Sequence, residues 1–286
     1  MKRRTLILLV WLLGAIPGAS GMQDTLSDAQ IRELIRNSAD KDVENTRRER
    51  DYTYVRRDEQ RKLDGKGQVK SVESKTYEVM VLVGEQAEKL IEKNDKPLSP
   101  KDAKEEDEKI QKLIDRGAKE TPENRLKRTE KADKEIEEGR QFVREVADAY
   151  KFTLRGMEDV GERATYVVDA DPLPGYKPRM KEAKILPKVR LRLWIDKAEH
   201  QWVKIDIECI DTISWGLFLA RIHKGSRIHV EQTRVNDEVW LPKHVTVKMD
   251  ARIALLKNFD AEYVITFRDY QKFQTDAVIQ PLGEVQ

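Results

Sequence analysis

Apolar and polar residues alternate with a period of two over much of the chain after residue 151. Val189, Leu191, Leu193 and Ile195 alternate with Arg190, Arg192 and Trp194, and later segments repeat the pattern. Because successive side chains of a β-strand point to opposite faces, the pattern predicts strands with one apolar and one solvated face. Short links containing Gly, Asn or Asp favour an antiparallel meander.

A helix and a long hairpin are predicted before this region. Ser27 and Gln30 have the spacing of a capping box, and the apolar stripe that follows them is narrow. The helix must therefore lie on something larger. A charged strand begins at Tyr52, turns at residues 63–67 and returns as an alternating strand as far as Val83, which predicts the hairpin.

Residues 99–140 differ in composition from the rest of the chain. Positions 101–140 hold 13 acids and 12 bases, so we expect a solvated helical insertion with balanced charge. Ser99 and Thr121 each precede a proline and are predicted N-caps. An apolar stripe from Ile136 to Ala147 then returns the chain to the body of the protein.

These elements predict a mainly β fold of the α+β class. Nine or ten one-sided strands need a cover for their apolar faces, and a flat sheet of that size curls or splits. We expect a curved antiparallel sheet, an open half-barrel, with the N-terminal helix and the helix at 134–148 across its concave face. Residues 22–286 are predicted to form a single domain that carries the charged insertion at about 99–140.

The N-terminus has the parts of a secretory signal peptide. A basic start, residues 1–4, precedes the apolar run 6–16 and small residues that end at Gly21. The run is too short for a permanent membrane-spanning helix. We expect residues 1–21 to be removed near Gly21 and the product to be soluble in the periplasm, or secreted, with only transient membrane contact.

Charge and reactive residues narrow the function. Lys and Arg number 54 against 52 Asp and Glu, so no global field favours nucleic acid as a partner. Cys209 is the one cysteine, which excludes an intramolecular disulfide and a cysteine-rich zinc site. His223, His229 and Glu231 could approach one another across a turn, but they have the pattern of exposed strand residues. No catalytic motif, metal site or cofactor is predicted, and a secreted hydrolase is the least favoured class.

Three segments resemble a known superfamily. They are Leu193–Lys197 (LWIDK), Asn236–Pro242 (NDEVWLP) and Thr266–Phe273 (TFRDYQKF). Together with the order of helix, hairpin, helical excursion and meander, they resemble the periplasmic lipoprotein-carrier superfamily, the LolA/LolB/RseB-like proteins. The resemblance implies an open half-barrel with helices across its mouth and a hollow that takes acyl chains or partner segments.

The leading hypothesis is a non-enzymatic periplasmic carrier for a lipid or acylated protein, held in an apolar cavity. The alternative is an envelope interaction or sensor module that binds proteins through residues 101–140. In that case the hollow is an ordinary hydrophobic core and binds no ligand. Trp215 and Phe218 are predicted at the mouth of the cavity, because both the odd-numbered and the even-numbered residues of the segment around them are apolar. Strand parity predicts the following cavity wall: Leu191, Leu193, Ile205, Ile207, Val245, Val247, Tyr263, Ile265 and Phe267.

Overall fold

The computed structural model describes residues 26–64, 66–215, 220–253 and 257–273. Within these ranges the helices are α1 (Asp28–Glu49), α2 (Pro100–Ala118), α3 (Pro122–Ala149) and a 3-10 helix (Glu182–Lys188). The strands are β1 (Tyr52–Leu63), β2 (Val69–Leu82), β3 (Glu85–Lys93), β4 (Lys96–Pro97), β5 (Tyr150–Val160), β6 (Arg163–Pro172), β7 (Val189–Asp196), β8 (Trp202–Cys209), β9 (Ile213–Trp215), β10 (Ala220–Ile222), β11 (Arg227–Val235), β12 (Val239–Ile253) and β13 (Lys257–Lys272). The predicted signal peptide lies outside the described residues.

The strands form one antiparallel sheet. Its order is β4-β3-β2-β1-β13-β12-β11-β8-β7-β6-β5, and the short strands β9 and β10 extend from β12. The first and last strands of this path do not pair with each other, so the sheet is an open half-barrel. The predicted fold class is confirmed.

Tight turns produce the meander. Asn236 and Asp237, between β11 and β12, have φ angles of 50° and 54°, the left-handed values that suit a two-residue hairpin loop. Gly225, with φ of 93°, turns the chain before β11. The predicted hairpin is present as β1 and β2. Strand β3, which follows β2 after a turn at Val83 and Gly84, was not predicted.

Helix α1 lies across the concave face of the sheet. Apolar side chains hold it there near its N-terminus, and hydrogen bonds hold it farther along. Ser27 and Gln30 form the predicted capping box. Ile31, Leu34 and Ile35 pack into a core shared with β5, β6 and β7. Farther along, polar side chains of α1 accept hydrogen bonds from strand amides. Ser38 Oγ accepts from Trp202 N at 2.9 Å, and Asn45 Oδ1 accepts from Trp240 N at 3.3 Å.

Helix α2 lies along β3, near one edge of the sheet. Ser99 caps α2 and Thr121 caps α3, as predicted. Glu106 Oε2 accepts a hydrogen bond from Leu90 N at 3.2 Å, and Lys109 Nζ donates to Glu88 O at 3.3 Å. These side chains occupy backbone groups that an edge strand otherwise offers to another chain. The charged insertion is therefore packed against the sheet along β3.

The turn between β7 and β8 contains a buried carboxylate. Asp196 is 2% exposed and accepts from Arg163 Nε at 2.6 Å and from the amides of Ala198 and Glu199 at 3.0 and 2.7 Å. Burial opposes its charge, but these hydrogen bonds outweigh burial and lower the pKa of Asp196. Asp196 and Lys197, which end the LWIDK segment, thus form a structural turn.

Candidate functional site

An apolar cavity of about 370 Å³ lies between the concave face of the sheet and the helices. Helix α1 contributes Ile35 and Ala39, and strands β7, β8, β11 and β12 form the opposite wall. Cavities that hold small molecules in proteins measure about 300–1,000 Å³ and are mostly apolar. The apolar lining residues from the remaining elements are Phe142, Val143, Val146, Ile185, Leu186, Ile213 and Ile222.

Strand register places the predicted wall residues on the concave face in two rows. One row runs across paired strands from Leu191 through Ile207 and Val247 to Tyr263. The neighbouring row runs from Leu193 through Ile205 and Val245 to Ile265, by the same pairings. Phe267 lies next along β13, with its ring centroid 5.9 Å from that of Tyr54.

Only part of this face lines the apolar cavity. The predicted residues in its wall are Leu191, Leu193, Ile205, Ile207 and Val247. Tyr263 and Ile265 line a separate, more polar pocket of about 390 Å³, where Asp58, Lys75 and Lys93 are among the other lining residues. Val245 and Phe267 are half-buried on the same face. Parity determines which face a side chain joins; α1 contributes lining residues to the apolar cavity, whereas those of the polar pocket come from the strands and the turn after β3.

The predicted mouth is described only in part. Trp215 belongs to β9 by its backbone, but its side chain is outside the described part of the chain, as is Phe218. Ile213, at the start of β9, is buried and lines the cavity. The role of Trp215 and Phe218 stays a prediction.

Several lining residues were missed as site residues. Phe142, Val143 and Val146 belong to the apolar stripe of α3, which the sequence analysis used only as a packing face. Ile185 and Leu186 come from the 3-10 helix, where the signal is only an apolar pair between Lys184 and Pro187. That signal is too short to be distinguished from a loop.

A buried carboxylate on α3 holds the segment that leads to this 3-10 helix. Glu145, 3% exposed, accepts hydrogen bonds from the Tyr176 hydroxyl, from Arg179 N at 2.6 Å and from Met180 N at 3.2 Å. Burial raises the pKa of a carboxyl, but the three donors outweigh burial and the pKa of Glu145 lies below its ordinary value. The position of the cavity wall at Ile185 and Leu186 therefore depends on the negative charge of Glu145 in α3.

One end of the cavity is polar. Asp42 of α1 lines it, and its Oδ1 accepts a hydrogen bond from Gln232 Nε2 at 3.4 Å. Gln232 Oε1 accepts in turn from Gln201 Nε2 at 3.2 Å. Burial raises the pKa of Asp42, and hydrogen bonds from Gln232, Trp202 and Gln201 offset this only in part. We call Asp42, together with Gln232 and Gln201 behind it, the polar end of the cavity, although only Asp42 lines the cavity itself.

The convex face carries paired charges. Asp169 receives hydrogen bonds from Arg192 Nε at 2.6 Å and Arg155 Nε at 2.7 Å. Hydrogen bonds from Arg192 lower the pKa of Asp169. His229 Nδ1 lies 2.5 Å from Asp206 Oδ1, in a cleft of about 640 Å³. The cleft is thus lined by side chains that already pair with one another.

Three further observations concern the reactivity of Cys209, metal binding and membrane-crossing helices. Cys209 is buried, and burial raises the pKa of its thiol, which disfavours the reactive thiolate. Within the described ranges, no group of three or more His, Cys, Asp and Glu residues could hold a metal ion. No helix in the part of the chain that the structure describes is long and apolar enough to cross a membrane.

Comparison with known proteins gives similarities of structure alone. No protein-family model matches the chain, and no curated protein matches it. A putative outer membrane lipoprotein-sorting protein domain from Vibrio parahaemolyticus is 10% identical, with a TM-score of 0.33, and the match covers 86% of this chain and 95% of that one. For a LolA superfamily protein from Nitrosomonas europaea the identity is 10%, the TM-score 0.31 and the coverage 86% and 94%.

A DUF1329 family protein from Desulfovibrio piger is 11% identical, with a TM-score of 0.30 and coverage of 88% and 99%. At this identity and TM-score these structures are only what the chain is similar to. The open antiparallel half-barrel itself rests on the strand order of this chain.

Proposed function

We propose that this protein is a non-enzymatic periplasmic carrier that binds a lipid or an acylated protein by enclosing an apolar chain in its cavity. The observation that carries the proposal is the apolar cavity of about 370 Å³ between the concave face and the helices. Each methylene moved from water into such a cavity contributes about 0.8 kcal/mol. Release to an acceptor then needs a competing apolar environment and no covalent step.

The first experiment measures chain-length dependence. Isothermal titration of the purified full chain with 1-octanol, 1-decanol and 1-dodecanol should show Kd falling about fourfold per added methylene, since 0.8 kcal/mol corresponds to that ratio. The dependence should level off once the chain fills the cavity. Absence of alkanol binding, or a Kd independent of chain length, contradicts the proposal.

A matched pair of variants localises the site. Ile207→Trp places an indole in the cavity wall, whereas Val72→Trp places the same group on β2, where the valine is 50% exposed. Both changes are apolar residue to tryptophan within a strand. We expect the first to weaken dodecanol binding at least tenfold and the second to leave it unchanged. Equal effects of the two variants would place binding elsewhere.

The native cargo and the location are tested directly. Native mass spectrometry of protein isolated from its own periplasm should show acyl-containing adducts, and N-terminal sequencing should begin near residue 22. Recovery in the cytoplasm, or protein that is repeatedly empty and takes up no fluorescent fatty acid, counts against the carrier.

A second candidate is a protein-interaction module that uses the charged insertion. One observation favours it: Leu126 of α3 is 59% exposed among charged neighbours, and Ile114 of α2 is 38% exposed. Deleting the insertion would uncover β3, so Leu126→Glu is the better test. Loss of an envelope partner in a pull-down, with alkanol binding intact, would favour this function over the carrier.

A further inference from the structure

Among the residues that the structure describes, none gives the polar end of the cavity a cationic partner. Asp42 is half-buried and is one of the polar residues that line the cavity. The side chains that hydrogen-bond to it, Gln232, Trp202 and Gln201, are all neutral donors. Its contact with Gln232 Nε2 is long, at 3.4 Å. A desolvated carboxylate held only by such contacts keeps an unused capacity to accept hydrogen bonds and to attract a positive charge.

A second observation points in the same direction. Gln201 is 1% exposed, and its Oε1 has no hydrogen-bond partner within the described part of the chain. The direction of both amides follows from Asp42. Gln232 must turn its Nε2 toward the carboxylate. Its Oε1 therefore faces Gln201 and accepts a hydrogen bond from Gln201 Nε2. The remaining acceptor, Gln201 Oε1, is left without a donor, and a buried acceptor in this state costs about 1–3 kcal/mol.

The polar end therefore has too few donors for its acceptors and lies beside an apolar space. A ligand that supplies N–H donors and a positive charge at one end of an aliphatic chain complements both properties. Two cationic residues, Arg227 and Lys248, are also among the lining residues, but strand register places them in the row of Arg190 and Glu208, whose side chains lie on the convex face. Arg227 is accordingly 3.1 Å from Glu208.

We propose that the polar end, through Asp42, binds the primary ammonium group of a single-chain aliphatic amine whose chain lies in the apolar cavity. This inference rests on the proposed carrier function and adds a head-group chemistry to it. Asp42 accepts hydrogen bonds from the ammonium group and supplies the opposite charge. Gln232, itself held by Gln201, keeps the carboxylate in place by donating a hydrogen bond to it.

The test compares three probes of equal chain length, dodecylamine, 1-dodecanol and dodecanoate, each below its micelle concentration, by isothermal titration of the full chain at pH 7.5 and 150 mM salt. We expect the amine to bind at least tenfold more tightly than the alcohol, and the alcohol more tightly than the carboxylate. Asp42→Asn should weaken amine binding at least tenfold and leave alcohol binding within threefold. Asp40→Asn, an equal change of charge at an exposed position of α1, should change neither.

Each other outcome has a defined meaning. If dodecanol binds but the amine has no advantage, or if Asp42→Asn does not weaken it, this inference is wrong and the carrier proposal stands. If dodecanoate binds most tightly, the head group does not contact Asp42, and the inference is also wrong. If none of the three probes binds, the carrier proposal itself fails. Should Asp42→Asn not fold, Asp42→Leu provides the same comparison, with unchanged or tighter dodecanol binding expected.

Discussion

Replacement of Glu145 by glutamine tests how the wall of the cavity is held in place. The carboxylate accepts hydrogen bonds from the Tyr176 hydroxyl and from the amides of Arg179 and Met180. A hydrogen bond to a charged group contributes about 1.5–3 kcal/mol. Glutamine keeps one acceptor oxygen and turns an N–H₂ group toward a donor. The free energy of unfolding should fall by about 2–4 kcal/mol, since one donor stays unpaired and the remaining bonds lose their charge assistance.

Thermal and urea unfolding followed by circular dichroism measure this loss. For a domain of this size about 1 kcal/mol shifts Tm by roughly 2–4 °C, so Glu145→Gln should lower Tm by roughly 4–16 °C. Glu138→Gln on the same helix is the control. Its carboxylate is exposed and lies 3.8 Å from Lys134 Nζ, so we expect a change below about 0.5 kcal/mol.

The pH dependence gives an independent check. The pKa of Glu145 in the folded protein lies below the ordinary value of 4.5. Its stabilising contribution is therefore complete above pH 4.5 and is lost as the pH falls through the folded pKa. The difference between the wild type and Glu145→Gln should shrink on acidification. A variant as stable as the wild type at pH 7, or a gap that does not change with acid, refutes the reasoning.

Three further predictions concern the sheet. Leu193→Ala enlarges an existing cavity and should lower the free energy of urea unfolding by about 2–3 kcal/mol, near the lower end for such truncations. Asp196→Asn removes one of two carboxylates that contact Arg163, while Glu199 stays at 2.7 Å, so it should cost about 1.5–3 kcal/mol in the same assay, with the gap closing in acid because the pKa of Asp196 is lowered. The double variant Glu106→Ala, Lys109→Ala should self-associate in sedimentation velocity runs, because it frees backbone groups of β3. A wholly monomeric double variant, or single variants as stable as the wild type, would contradict these expectations.

Much of the fold follows from local pattern. Alternation placed Leu193 and Ile265 on the correct face, because the pleat of a strand gives each parity one side of the sheet. The caps at Ser99 and Thr121 were predictable because each depends on a few adjacent residues. Strand β3 was missed since only Ala87 and Leu90 are buried in it, and the sequence between them is charged.

The division of the concave face could not be predicted in the same way. Val247 and Tyr263 are paired neighbours on β12 and β13, yet one lines the apolar cavity and the other the polar pocket. That boundary depends on sheet curvature and on the path of α1, which are properties of contacts distant in sequence. Asp42 was missed for a related reason: a lone acid in a highly charged helix carries no signal until the helix is placed on the sheet.

The pairing of β1 with β13 sets an order for assembly. The hydrogen bond from Gln60 Nε2 to the Tyr263 hydroxyl joins residues 203 positions apart. The first hairpin therefore cannot dock until the last strand is available. Because bringing distant segments together is slow, folding should be limited by this step. If the protein is exported as an unfolded chain, the half-barrel reaches its final form only after nearly all of the polypeptide has crossed the membrane.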